Sequence, residues 1–133
     1  MQPTTDKQVI LDASKAAFGT EIDGMAIIAD HGGYALSGDG GFMLFVLSAP
    51  DTYKITLGFR EDSRGQNAID AINAGYRWLF ENTSAQSVIG SWPADGLATT
   101  IAPLIIGGEW ERQGDIVVGS VTRSRWQAVT NGQ

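Results

Sequence analysis

Leu57-Gly58-Phe59-Arg60-Glu61-Asp62-Ser63-Arg64-Gly65-Gln66-Asn67-Ala68 joins two segments of different hydrophobic period. Before it, Tyr53, Ile55, Leu57 and Phe59 alternate with Lys54, Thr56, Gly58 and Arg60, the period of two that a half-buried strand shows. After it, Ile69, Ile72, Tyr76, Leu79 and Phe80 form a helical stripe that reaches about Asn82. The stretch is therefore a strand, a short polar loop and the start of an amphipathic helix. Such a start presents amide groups without intrahelical acceptors and the positive end of the macrodipole, which together suit an anion such as a pyrophosphate. Arg64 adds a charge-assisted donor, and Gly65 removes the side chain that would hold a phosphate off the backbone. On spacing alone the same residues also make an ordinary strand-to-helix connection.

Upstream, Lys7–Phe18 carries Val9, Ile10, Ala13, Ala16 and Ala17 at helical spacing, with Asp6 as N-cap and Gly19 as the stop. Residues 25–29 read as a short strand, followed by a His31-Gly32-Gly33 turn in which His31 is an ordinary turn residue. Residues 34–37 resume the extended chain, and Gly38-Asp39-Gly40-Gly41 is a hairpin signal. Residues 42–47 are apolar on both faces, as a central strand covered above and below should be, and Ala49-Pro50-Asp51 turns the chain. Downstream, residues 87–91 read as a strand. Residues 96–106 read as a helix that Pro103 makes short, kinked or late to start. Gly107-Gly108 ends it, and residues 109–112 and 116–122 form a last strand pair around Gly114-Asp115. The predicted class is α/β, an α+β mixed sheet with helices packed on its faces. The chain reads as a single domain over 1–133, with 1–6 and 127–133 expected to fray.

Composition narrows the function. The 133 residues include 43% hydrophobic and 18% charged side chains, enough for one packed core. Nine basic against fifteen acidic residues give a net charge of −6, which argues against non-specific nucleic-acid binding. There is no cysteine, so disulfides, thiolate nucleophiles and cysteine-based metal sites are excluded. The single histidine excludes an all-histidine metal site, the aspartates lack calcium-loop spacing, and no metal is expected. No segment approaches the roughly 18–20 apolar residues that span a bilayer, and the N-terminus lacks a signal pattern. A cytoplasmic protein without membrane or nucleic-acid partners is expected. Trp78, Trp92, Trp110 and Trp126 are spread too widely for a base-stacking array and default to packing roles.

About three-quarters of the chain, from Met25 to Val121, resembles the GNAT N-acetyltransferase fold family, in which hairpin strands precede an acyl-CoA-binding strand, loop and helix. The family's loop reads Arg/Gln-x-x-Gly-x-Gly/Ala, with a small residue five positions earlier. Arg64-Gly65 matches its start, whereas Phe59, Asn67 and Ile69 occupy the three small positions. Asn67 tolerates left-handed backbone angles, so it is the mildest of these replacements. Trp92-Pro93-Ala94-Asp95-Gly96-Leu97-Ala98 is similar to the family's Val-Pro-x-x-Asn-x-x-Ala segment. Gly108-Glu109-Trp110-Glu111-Arg112-Gln113-Gly114 is similar to its Gly-Phe-x-x-x-Gly signature with one residue added. The degenerate loop and the long helix ending at Asn82-Thr83 most resemble short phage-encoded members. The fold implied is a GNAT-like, mostly antiparallel central sheet with helices on both faces, shortened at the N-terminus.

The resemblance implies an acetyl-CoA-dependent N-acetyltransferase acting on a small-molecule or protein amine. Backbone groups of Leu57, Gly58 and Phe59 would pair with pantetheine and carbonyl. Amides of Arg64, Gly65, Gln66, Asn67, Ala68 and Ile69 would hold the pyrophosphate, and Asp95 and Gly96 would lie beside the pantetheine. Glu61 is the candidate base and Ser91 a candidate donor to the thiolate; as solvated polar residues they have an ordinary reading too. The family's tyrosine acid falls on Leu104. The departures at Asn67, Ile69, Pro103 and Leu104 imply the alternative, a GNAT-like scaffold without catalysis that serves phage assembly or host interaction. A homodimer or a phage or host protein is the expected macromolecular partner.

Overall fold

Side-chain caps set the two N-terminal helices. Asp6 accepts from the Gln8 amide at 2.9 Å to open α1 (Lys7–Phe18), and Gly19 closes it at φ 77°. Asp23 accepts from the Ala26 amide at 3.1 Å to open α2 (Gly24–His31). The computed structural model, which describes residues 1–38, 40–94 and 102–131, thus has a helix where a strand over 25–29 was expected. The cap is one reason; the seat is the other. A Cβ on Gly24 would lie 2.8 Å from Ile10 and 2.9 Å from Leu44, so only glycine lets α2 settle this closely on α1 and the sheet. Ser14 is fully buried, donates to the Ile10 carbonyl at 2.8 Å and accepts from the Ile22 amide at 2.8 Å, which fixes the connection between the helices.

The strands are β1 (Gln2–Pro3), β2 (Gly33–Gly38), β3 (Gly41–Ala49), β4 (Thr52–Phe59), β5 (Ser87–Pro93), β6 (Gly108–Gln113) and β7 (Ile116–Thr122). They form one sheet in the order β1-β2-β3-β4-β5-β7-β6. Every neighbouring pair is antiparallel except β4 and β5. That parallel step requires a crossover, which α3 (Gln66–Asn82) supplies. The Gly38↔Gly41 register bears out the hairpin, with Asp39 outside the described residues. A two-residue strand and two helices precede β2.

Fraying was expected over 1–6 and 127–133; of these, residues 2–4 pair with β2 and residues 127–131 belong to a helix. Gln2 pairs with Ser37, Pro3 with Leu36, and the Thr4 amide donates to the Ala35 carbonyl at 2.9 Å. At the other end α4 (Arg123–Asn131) is helical because tertiary contacts hold it, not because of its polar sequence. Trp126 is buried 5.3 Å from the Phe80 ring. The Arg123 guanidinium donates to the Phe80, Thr83 and Ala85 carbonyls around the end of α3.

Two cores flank the sheet. Ile10, Ala35, Phe42 and Leu44 meet under α1 and α2, while Leu36, Met43, Phe45, Ile72, Tyr76 and Leu79 meet under α3. β3 supplies both, which is why its sequence is apolar at consecutive positions. Most of the helix expected over 96–106 lies outside the described residues; 102–104 is a single 3-10 turn. Asn73 of α3 pins residues 104–106 to the helix, accepting from the Ile106 amide at 3.0 Å and donating to the Leu104 carbonyl at 3.3 Å.

Candidate functional site

The parallel ladder between β4 and β5 consists of Thr52↔Ser87, Tyr53↔Val88 and Lys54↔Ile89. Both strands continue, β4 to Phe59 and β5 to Pro93, so they part beyond Lys54 and a wedge opens. Each strand keeps its other neighbour throughout: β4 stays paired with β3 to Gly41↔Phe59, and β5 with β7 to Pro93↔Ile116. The Arg60 amide donates to the Gly40 carbonyl at 2.9 Å, which assigns the even-numbered residues of β4 to the β3 ladder. By alternation the amide and carbonyl of Leu57 and the amide of Phe59 face the wedge. The Phe59 carbonyl accepts from Arg64 Nε at 3.3 Å.

The start of α3 lies beyond this open end. Gly65 is its N-cap at φ 98° and ψ −145°, and no side chain caps the helix. The first-turn amides of Gln66, Asn67 and Ala68 therefore lack intrahelical acceptors. Ile69 packs against the core under α3, and Phe59, 5% exposed, is buried in it. The bulky side chains at these two small-residue positions are spent on the core, so neither stoppers the helix start. Gly58 has a different duty: a Cβ there would lie 2.7 Å from Phe18 and 2.9 Å from Ala17, so it admits the end of α1.

Two clefts adjoin these elements. One, of 460 Å³, lies in the wedge and is lined by Lys54, Ile55, Thr56, Ile89, Gly90, Ser91, Val118 and Gly119. The other, of 610 Å³, lies between the β2–β3 hairpin and α3; its polar lining comes from Arg60, Asp62, Ser63, Asn67 and Asp70. In the second, Arg60 is held by Asp62 at 3.4 Å and Asp70 accepts from Gln66 at 2.8 Å.

Of the two candidate catalytic residues, Ser91 lines the wedge cleft, whereas Glu61 is an exposed residue of a 3-10 turn and lines neither cleft. The structure does not bring them together. Asp95 and Gly96 lie outside the described residues. His31 is the exposed last residue of α2, and Leu104 is 52% exposed. Lys54 and Thr56 are exposed, as the alternation had them, and sequence reasoning did not single them out as lining a cleft. The signal for them was topological: the ladder ends at Lys54↔Ile89, so the cleft begins at that pair. At the narrow end, burial first and the neighbouring Tyr34 second push the Tyr53 hydroxyl above its usual range, so it stays protonated at neutral pH. Among the described residues no group of histidine, aspartate and glutamate could hold a metal ion, and no helix is long and apolar enough to cross a membrane.

No protein-family model and no curated protein sequence matches the chain. Solved structures do. A mutant form of the spermidine/spermine N-acetyltransferase SpeG from Vibrio cholerae superposes with a TM-score of 0.71 at 10% identity, covering 97% of this chain and 96% of that one. A putative acetyltransferase from T. thermophilus gives 0.59 at 18% identity, covering 80% and 68%. The ribosomal-protein-S5-alanine acetyltransferase from Vibrio fischeri gives 0.55 at 12% identity, covering 65% of this chain and 55% of that one. At these identities the likeness concerns architecture, and the architecture is the GNAT fold: a mostly antiparallel seven-stranded sheet, helices on both faces, and one parallel step in the middle.

Proposed function

We propose that the chain binds acetyl-CoA in the wedge between β4 and β5 and passes the acetyl group to an amine. The observation that carries this is the ladder that stops at Lys54↔Ile89 while both strands run on toward an uncapped helix start. The parts suit the coenzyme's chemistry. Main-chain groups of Leu57 and Phe59 offer strand-like pairing to its amide-bearing arm. The amides of Gln66, Asn67 and Ala68 offer donors and a helix dipole to its diphosphate. Gly65 keeps that approach open, with nothing within 4 Å of where a Cβ would stand.

Bound there, the coenzyme would supply an activated thioester. A backbone amide of β4 would polarise the acyl oxygen, where charge develops during attack. The Ser91 hydroxyl, on the opposite wall, could donate a hydrogen bond to the leaving sulfur. The structural neighbours include enzymes named for spermidine and for a ribosomal-protein alanine, so the fold does not choose the acceptor. Calorimetry tests the coenzyme directly. Heat with CoA and acetyl-CoA, lost in Gly65→Ala, is the expected result, and silence at millimolar ligand would remove the proposal.

A second reading, a GNAT-like scaffold without turnover, is favoured by one feature: Leu104 carries no proton to give at the position of the usual acid, and it projects to solvent. Coenzyme binding without acetyl transfer to any amine would establish it. The phage-related role belongs to this reading and rests on the resemblance alone.

A further inference from the structure

α1 and α2 pack over β2, β3 and β4. Beyond the wedge, Val88 and Val121 point into the α3 core, so alternation turns Ile89 and Ser91 of β5 and Val118 and Ser120 of β7 to the other face. Registers Ile89↔Ser120 and Ser91↔Val118 set them side by side, on the face away from α3. Lys54 stands at the narrow end of this floor, exposed, with no ion-pair partner among the described residues. Arg125 reaches the same face, donating to Ser120 Oγ at 3.1 Å and pairing with Glu109 at 2.6 Å. Glu109 is thereby engaged. Glu111, opposite Val118, lies two strands from Ser91, about 10 Å across the sheet. Among the described residues the lining of the wedge cleft presents one ammonium, the hydroxyls of Thr56 and Ser91, and no carboxylate.

That set is wrong for a polycation. Lys54 repels it, and an alkylammonium with a pKa of about 10.4 needs a base, which the described lining does not offer. An amine of pKa about 8 is about half neutral at pH 8, where the alkylammonium is under about 1% neutral. Resting on the acetyl-transfer reading, we propose that the acceptor is a weakly basic amine carrying an anionic oxygen group, carboxylate or phosphate, which Lys54 binds. The amine nitrogen bonds to the acetyl carbon, the carbon–sulfur bond breaks, and the electron pair leaves with sulfur. The nitrogen's proton passes through water to that sulfur, so amine and thioester become amide and thiol.

Matched acceptors test this: glycylglycine against glycylglycinamide for the carboxylate, and glucosamine 6-phosphate against glucosamine for the phosphate, with spermidine as the polycation. Thiol release is measured for the wild type, Lys54→Gln and Lys54→Glu, and CoA heat is recorded for each. In at least one pair the anionic member should show kcat/KM about tenfold higher than its mate, the size of one charge-assisted contact. Lys54→Gln should shrink that ratio, and Lys54→Glu should abolish it and raise spermidine turnover. Without coenzyme, the favoured anion should shift the Thr56 and Ser91 amide resonances of the wild type and not those of Lys54→Glu. CoA heat with equal rates within both pairs, with spermidine preferred, or with a ratio unmoved by the variants overturns this inference alone. No CoA heat and no turnover overturns the acetyl-transfer reading and this one with it.

Discussion

Gly65 separates backbone from side chain as few residues do. Its φ of 98° and ψ of −145° are open essentially only to glycine, yet a Cβ there meets nothing within 4 Å. Gly65→Ala therefore costs only conformation, about 1–3 kcal/mol, read as a lower urea midpoint. If the first-turn amides hold a diphosphate, the same change should weaken CoA binding at least tenfold; an unchanged affinity beside the lost stability would show that they do not. Tyr76 poses the opposite case. Its hydroxyl is fully buried without a hydrogen-bond partner among the described residues, and burial pushes its pKa far above the usual tyrosine range. Removing an unsatisfied hydroxyl is neutral or favourable, so Tyr76→Phe should match or exceed the wild type by up to about 1 kcal/mol in urea. At this scale the sequence was legible in type and in buried face, and not in what each side chain touches. Phe59 and Ile69 stood on the apolar stripes of their elements, but only the tertiary packing reveals that the α3 core takes both and leaves the helix start clear.

At the scale of elements, what the sequence announces by period is present and what depends on partners is not. α1 and α3 carry long stripes with clear stops, and β2, β3 and β4 carry alternation or a continuous apolar run. α2 has eight residues, too few for a helical stripe, and Ile27 and Ile28 favour a strand locally. The Asp23 cap and the fit of Gly24 against Ile10 decide otherwise. The hydrogen bond from the Ala26 amide, then Lys7 at 3.2 Å, hold the Asp23 carboxyl below its usual 3.8. A depressed carboxyl contributes stability that is complete above the ordinary value and is lost as pH falls through the lowered one. Asp23→Asn keeps an acceptor and removes the titration. Its difference from the wild type should be constant from pH 5 to 8 and shrink below about pH 4; a difference that grows on acidification would reverse the assignment. α4 was illegible because Arg123 and Trp126 hold it across the chain. Arg123→Lys cannot reach three carbonyls at once, so a loss of about 2 kcal/mol in urea is expected, together with faster exchange of the α4 amides.

The whole molecule is two antiparallel halves joined through a three-pair parallel ladder, by α3 and by the Arg123 clamp. The β2–β4 half is covered on both faces, and β3 sits at its centre with Phe42, Met43, Leu44 and Phe45 at most 1% exposed. The β5–β7–β6 half is covered on the α3 face only, among the described residues, and ends in an edge strand whose residues are mostly exposed. Burial of apolar surface is the chief favourable contribution to folding, so local stability should divide along the same line. Native-state hydrogen exchange should find the slowest amides in β3 and β4, with those of β6 and β7 opening at a lower free energy. A ligand bridging Leu57 on one wall and Ser91 on the other would couple the halves and should slow the β5 and β7 amides more than those of β3. Uniform protection without ligand would show that the halves unfold as one. Uniform slowing on adding CoA would place its contacts outside the wedge.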